Sequence, residues 1–249
     1  MTDTARRHFL QTLTLATAGV AMHTVAGATG DAEALSALID QSSAFASMHQ
    51  PRPLTLDPAR LTGLSARLIQ SHWENNYGGS VTTLNAVKQK LAHALADKDT
   101  PPFVYNDLKR EHLMRTGSVV YHELYFDNLG GDGMPGEDSR KALASAFGTF
   151  DIWETEFRKI GVGLSGGSGW VVLGYNLHTN QLENYWLGDH LHGPAMTVPL
   201  LVMDMYEHSY HMDYGAAAAK YIDAFFTNIR WDVVSERLEK AAKVGTRLT

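Results

Sequence analysis

The 249-residue sequence contains no cysteine. That absence excludes disulfide scaffolds, thiolate zinc sites, cysteine nucleophiles and cysteine-ligated iron–sulfur clusters. Positive charge is also short, with 21 Lys and Arg against 27 Asp and Glu and a net charge of −6. A module that binds nucleic-acid phosphates is normally basic, so nucleic acid is not an expected partner. No apolar run approaches the roughly 20 residues needed to cross a bilayer, and no internal repeat is present. What is there is globular: 44% hydrophobic and 10% aromatic residues, enough for one large or two small domains. Twelve histidines without a cysteine point toward imidazole-based metal chemistry.

The first 28 residues read as an address. Arg6 and Arg7 precede Phe9 and Leu10, an apolar run spans Leu13 to Met22, and Ala26-Gly27-Ala28 offers a small-residue cleavage site. A charged start, a short apolar core and such a site make a signal peptide rather than a membrane span. The arginine pair looks like the bacterial twin-arginine signal, which exports proteins already folded. The expectation is a periplasmic protein with no membrane segment in its mature form.

Residues 29–60 read as an N-terminal arm containing Pro51, Pro53 and Pro58. Apolar residues recur at helical spacing from Leu64 to Asp97, with Gly78-Gly79 as a kink or break, and again from Phe103 to Asn128. Two helices joined by a short link predict an antiparallel hairpin over 61–130. The glycine-rich loop Gly130 to Gly136 ends it. Residues 138–249 then read as a helix over Ser139 to Gly161 and three short strands near 169–175, 182–187 and 198–203. Helices over Ala216 to Ile229 and Val233 to Ala242 complete the chain. The fold class is therefore α+β: an N-terminal helical hairpin, then a domain with a small three-stranded antiparallel sheet and helices. Gly161-x-Gly163-x-x-Gly166 precedes a strand instead of opening a helix, so it reads as a turn rather than a dinucleotide fingerprint.

Asp204 and His208 stand four apart, a spacing that one helical turn converts into a common aim. His72 and His122 each lie on an apolar helical stretch, where a single histidine is more often a core residue than a ligand. Should the two helices pack as a pair, both imidazoles face the second half. Three histidines and one carboxylate then leave an iron or manganese ion with an open position.

The surroundings of these residues resemble the iron/manganese superoxide dismutase family. Its C-terminal signature Asp-x-Trp-Glu-His-x-Tyr-Tyr is similar to Asp204-Met-Tyr206-Glu207-His208-Ser-Tyr210-His211. Its Gly-Ser-Gly-Trp strand is matched by Gly167 to Trp170, and its terminal helix resembles Asn228 to Arg237. Ser65 to His72 with Leu84-Asn85, and Tyr121-His122-x-x-Tyr125-Phe126-x-Asn128-Leu129, are similar to its two ligand helices. The resemblance covers about residues 60–240.

The resemblance implies that His72, His122, Asp204 and His208 hold one iron or manganese ion per subunit. It also implies superoxide as the small-molecule substrate and a homodimer as the assembly. Val202, two before Asp204, is bulky as in many iron-type members and favours iron. Departures cluster around the site. The family's gateway Tyr is Ser80, with Tyr77 a neighbouring substitute, and its His four after the first ligand is Asn76. The signature Trp is Tyr206, and the Tyr three after the last ligand is His211. The outer-sphere Gln aligns with His190, whose imidazole can serve as a donor to bound water, and its first-half alternative is Ser118. Trp170 and Tyr206 line the metal, while Glu207 and His211 belong to the subunit interface. These changes leave open a non-catalytic metal-binding or sensing relative, or a different redox activity at the same centre.

Overall fold

We describe residues 28–248 in a computed structural model. Arg6, Arg7 and the apolar run behind the export expectation lie outside them. Helix α1 (Ala28–Gln41) packs on the hairpin, and the arm then runs mostly extended through Pro51 and Pro53. The first hairpin helix begins as α2 (Ala66–Ser71), where the Ser65 hydroxyl accepts a hydrogen bond from the Leu68 amide at 3.1 Å. Such a cap satisfies an amide that has no partner within the helix.

Gly78-Gly79 does not break this helix. Residues His72–Tyr77 form a π-helical turn, and α3 (Gly78–Ala96) continues from it with Tyr77 and Gly78 both in right-handed helical conformation. The irregularity is a widened turn before the glycines. Helix α4 (Pro102–Asp127) starts at Pro102, where a missing N–H costs nothing, and returns against α3.

The loop after α4 joins the halves. Leu129 pairs with Ile229, and the Arg230 amide donates to the Asn128 carbonyl at 2.8 Å. At Gly133 (φ +71°) an added Cβ would lie 2.5 Å from the Phe226 carbonyl oxygen, so only glycine lets the backbones approach. The single helix expected over 139–161 is two, α5 (Glu137–Phe147) and α6 (Phe150–Gly163). Gly148 takes φ +93° and ends the first, and the Thr149 hydroxyl caps the second through the Ile152 amide at 3.1 Å. Apolar spacing runs through this junction, which is why the pattern conceals it. Gly161 and Gly163 belong to the end of α6, and only Gly166 (φ +77°) is in a turn.

Three antiparallel strands follow, β1 (Trp170–Asn176), β2 (Gln181–Leu187) and β3 (Thr197–Asp204), in the order β2-β1-β3. Central β1 is buried through Gly174, and its register sets Trp170 opposite Asp204. Helices α7 (Ala218–Thr227) and α8 (Trp231–Leu248) close the fold, α8 running past the expected end at Ala242. Trp153, Phe157, Trp170, Tyr125, Tyr221 and Phe225 are fully buried in one core that spans hairpin and sheet. Among the described residues no helix is long and apolar enough to cross a membrane.

Candidate metal centre

Four elements converge where the hairpin meets the sheet. His72 opens the π turn, His122 lies in α4, Asp204 ends β3, and His208 sits in a 3₁₀ turn (Glu207–Ser209). Asp204 and His208 therefore meet across a strand end and a tight turn, not along one helical turn as their spacing suggested. The Tyr206 amide donates to Asp204 Oδ1 at 2.8 Å, which fixes one carboxylate oxygen. The Ser209 hydroxyl (2.9 Å) and the Tyr221 hydroxyl (2.6 Å) hold the Asp204 carbonyl.

Asp204 Oδ2 is left facing three imidazoles. It lies 3.1 Å from His72 Nε2, 3.2 Å from His208 Nε2 and 3.6 Å from His122 Nε2. One donor atom from each of the four residues falls within 4.8 Å of all the others. His72, His122 and Asp204 are buried, and His208 keeps 25% of its side chain exposed. The His122 Nδ1–H donates to the Ser118 carbonyl at 2.7 Å, which leaves Nε2 unprotonated and turned inward. Neither nitrogen of His72, nor Nε2 of His122, has a hydrogen-bond partner despite burial.

Electrostatics agree with a cation site. Burial would raise the Asp204 carboxyl, yet His208 and His72 hold it well below the usual carboxylate range. Burial lowers His72 and, together with His72 itself, pushes His122 down to about 3. Neutral imidazoles at His72 and His122 beside an ionised Asp204 are the protonation states that metal ligands require. Orphaned buried nitrogens are costly without a partner, and an ion among the four donors would take up His72 Nε2 and His122 Nε2, leaving only His72 Nδ1. An Asp and three His suit iron or manganese.

The surrounding shell is aromatic and polar. Trp170 meets the His122 ring edge-on at 5.1 Å between centroids and donates through Nε1 to His190 Nδ1 at 3.0 Å. His190 stacks on Tyr206 (4.7 Å), which stacks on His208 (5.3 Å). Because Nδ1 accepts from Trp170, neutral His190 carries its proton on Nε2; burial lowers this imidazole to about 4. Ser80 is buried and shares a 2.8 Å hydrogen bond with Ser118, whose hydroxyl lies 3.3 Å from His122 Nδ1. Tyr77 is buried beside them, but its hydroxyl is taken by Arg52 N (2.7 Å) and Glu123 Oε1 (2.9 Å) instead of a ligand. Glu207 and His211 are exposed on the surface next to His208.

Three contributors escaped the sequence reading. Gly117 lets α4 lie against the backbone of His190: an added Cβ would stand 2.0 Å from the His190 carbonyl oxygen. Tyr221 and Glu123 are the others, and all their contacts are distant in the chain, so local spacing carries no signal for them.

Comparison with known proteins adds independent findings. Residues 135–237 match the family model described as iron/manganese superoxide dismutases, C-terminal domain. The chain is 47% identical over 196 residues to "Superoxide dismutase [Fe]" of Cupriavidus metallidurans, covering 79% of this chain and 99% of the relative. It is 37% identical over 195 residues to "Superoxide dismutase [Fe]" of Aquifex aeolicus (76% and 90% covered). To "Superoxide dismutase [Mn]" of Mycobacterium intracellulare it is 31% identical over 181 residues (72% and 86% covered).

Proposed function

The chain belongs to the iron/manganese superoxide dismutase family, and from that premise we propose which of its residues carry the reaction and where it acts. The protein is an oxidoreductase that converts two superoxide ions and two protons to dioxygen and hydrogen peroxide at a mononuclear iron or manganese centre. The metal, when bound, supplies one-electron redox chemistry, oxidising one superoxide and reducing the next. The assignment to residues rests on two buried, unpartnered imidazole nitrogens, His72 Nε2 and His122 Nε2, set with His208 Nε2 around Asp204 Oδ2.

His72, His122, Asp204 and His208 hold the ion. His208 is the ligand nearest solvent, so superoxide approaches from its side, past Tyr206 and His190. His190 takes the place of the family's outer-sphere amide: Trp170 holds its Nδ1, so Nε2–H is the donor it would offer to a solvent ligand of the ion. Ser80 and Ser118 stand at the sequence positions of the family's gateway Tyr and first-half Gln, and their paired hydroxyls brace His122. Naming of the relatives as dismutases speaks against a merely metal-binding role, and Val202 with the two iron-named relatives supports iron.

Glu207 and His211, exposed beside His208, support a homodimer across this face. Arg6-Arg7, the apolar run and Ala26-Gly27-Ala28 support twin-arginine export, signal removal and action in the periplasm. Metal analysis tests the ligand assignment: the wild-type protein carries one iron or manganese per chain, and His72→Ala and Asp204→Ala carry almost none. Full occupancy in both variants would refute it. Arg6→Lys with Arg7→Lys tests the address, since it should strand the protein in the cytoplasmic fraction.

A further inference from the structure

The arm before α2 is fastened across the hairpin beside two of the ligands. Asn85 brackets His49, accepting from its amide at 2.8 Å and donating to its carbonyl at 2.9 Å. Lys88 reaches the Ser47 carbonyl, and Trp73 Nε1 donates to the Arg52 carbonyl at 3.0 Å. These bonds bring two arm side chains to one buried carboxylate. His49 Nε2 is 2.6 Å from Glu123 Oε1, and Arg52 Nε is 3.1 Å from Glu123 Oε2. The Tyr77 hydroxyl completes the group, donating to Glu123 and accepting from the Arg52 amide.

The location of this group matters more than its size. Glu123 follows His122 directly, and Tyr77 stands five residues after His72, at the far end of the π turn. In a regular α-helix a residue five positions on is rotated ~140° away. The wider π turn returns it toward the same side, so His72 and Tyr77 are both buried against α4. The Tyr77–Glu123 hydrogen bond therefore ties one ligand-bearing helix to the other within a residue or a turn of the ligands. Phe126 fills the space between, with ring centroids 5.0 Å from His72, 6.2 Å from Tyr77 and 6.3 Å from His122. Arg52 is largely exposed, whereas Glu123 keeps only 8% of its side chain accessible.

We propose that Glu123 is a positioning residue for the metal centre, and that the arm residues His49 and Arg52 clamp its bond to Tyr77 so that His72 and His122 stay in register. This rests on the reading of His72, His122, Asp204 and His208 as ligands. Changing a residue that orients ligands typically costs 10–100-fold in metal affinity or activity. Glu123 acts through the backbone of a neighbour, so the lower end, about tenfold, is expected.

The test uses the full chain loaded with iron. Three quantities are read: iron release to excess chelator, the electron paramagnetic resonance spectrum of the ferric form, and the thermal midpoint. Tyr77→Phe removes only the cross-helix bond. His49→Ala with Arg52→Ala removes only the clamp, from residues exposed enough to be replaced without threatening the fold. His49→Gln keeps a donor to Glu123 and serves as the rescue. Tyr77→Phe and the double variant should release iron about tenfold faster with an altered ferric spectrum, and His49→Gln should match wild type. Wild-type release and spectra in both variants, whatever happens to the midpoint, would overturn the proposal. Wild-type protein that takes up neither iron nor manganese would overturn the ligand assignment itself, a separable result. Should Tyr77→Phe fail to fold, the double variant and its rescue decide.

Discussion

Gly117→Ala is the perturbation that asks most of the geometry with the smallest chemical change. The added Cβ would fall 2.0 Å from the His190 carbonyl oxygen and 3.0 Å from its carbon, whereas real Cβ contacts are essentially never under 3.0 Å. The His190 backbone must therefore retreat from α4 by about 1 Å, because both obstacles are main-chain atoms and cannot rotate aside. Overpacking of this kind costs about 1–3 kcal/mol, which in a chain of this size lowers the thermal midpoint by roughly 2–12 °C. The functional cost should be of similar size, about 1.4–2.7 kcal/mol for a 10- to 100-fold loss. His190 is held by Trp170 and stacked on Tyr206, so moving its backbone displaces the imidazole from the centre it faces. A misplacement near 1 Å can cost on the order of 100-fold in rate. The assay is superoxide dismutation by pulse radiolysis, normalised to bound metal, beside a thermal melt. A fall of tenfold or more per metal with stoichiometric occupancy is expected. A lowered midpoint with an unchanged rate per metal would show that the reaction does not depend on where His190 stands.

Trp170→Phe removes the N–H that donates to His190 Nδ1 and shrinks a fully buried ring; the rate per metal should fall about tenfold with a stability loss of about 2 kcal/mol from the lost bond and the cavity together, checked by the same pair of measurements. The metal-free protein should lose stability as the pH falls below the ordinary histidine value of about 6.5. His122, held down to about 3, and His72 stay neutral in the fold while the unfolded chain takes up protons. The depressed Asp204 carboxyl adds a loss of the same sign at lower pH. Denaturant melts of metal-free protein across pH 4 to 8 check this, and a flat profile would contradict the buried cluster. Glu207→Ala should shift the protein from dimer to monomer in light scattering if that face is the subunit contact.

Much of the site was legible because its information is local. Asp204, Glu207 and His208 lie within five residues, and His72 and His122 each bring recognisable neighbours with them. The apolar periods of α3 and α4 and the short runs of β1 to β3 likewise declare themselves in a window of a dozen residues. What stayed hidden depends on backbone geometry or on distant partners. The π turn shifts hydrogen bonding by one residue without disturbing the apolar pattern, and Gly78-Gly79 drew attention to the wrong feature. Gly148 splits α5 from α6 through a positive φ inside an unbroken hydrophobic period. Spacing of four fits a helical turn or a strand end followed by a tight turn, and Asp204 and His208 use the second. Glu123 meets Tyr77 across 46 residues and His49 across 74, separations over which a single sequence carries no pairing signal.

Superoxide turnover at this cluster depends on a bound iron or manganese ion and on the chain's own outer residues. It is tested most directly by the dismutation rate per bound ion, measured on chain 29–249 loaded with iron and, separately, with manganese. Rapid, metal-dependent turnover is expected with at least one of the two, abolished by Asp204→Ala. One ion bound per chain with negligible turnover for both metals would contradict it.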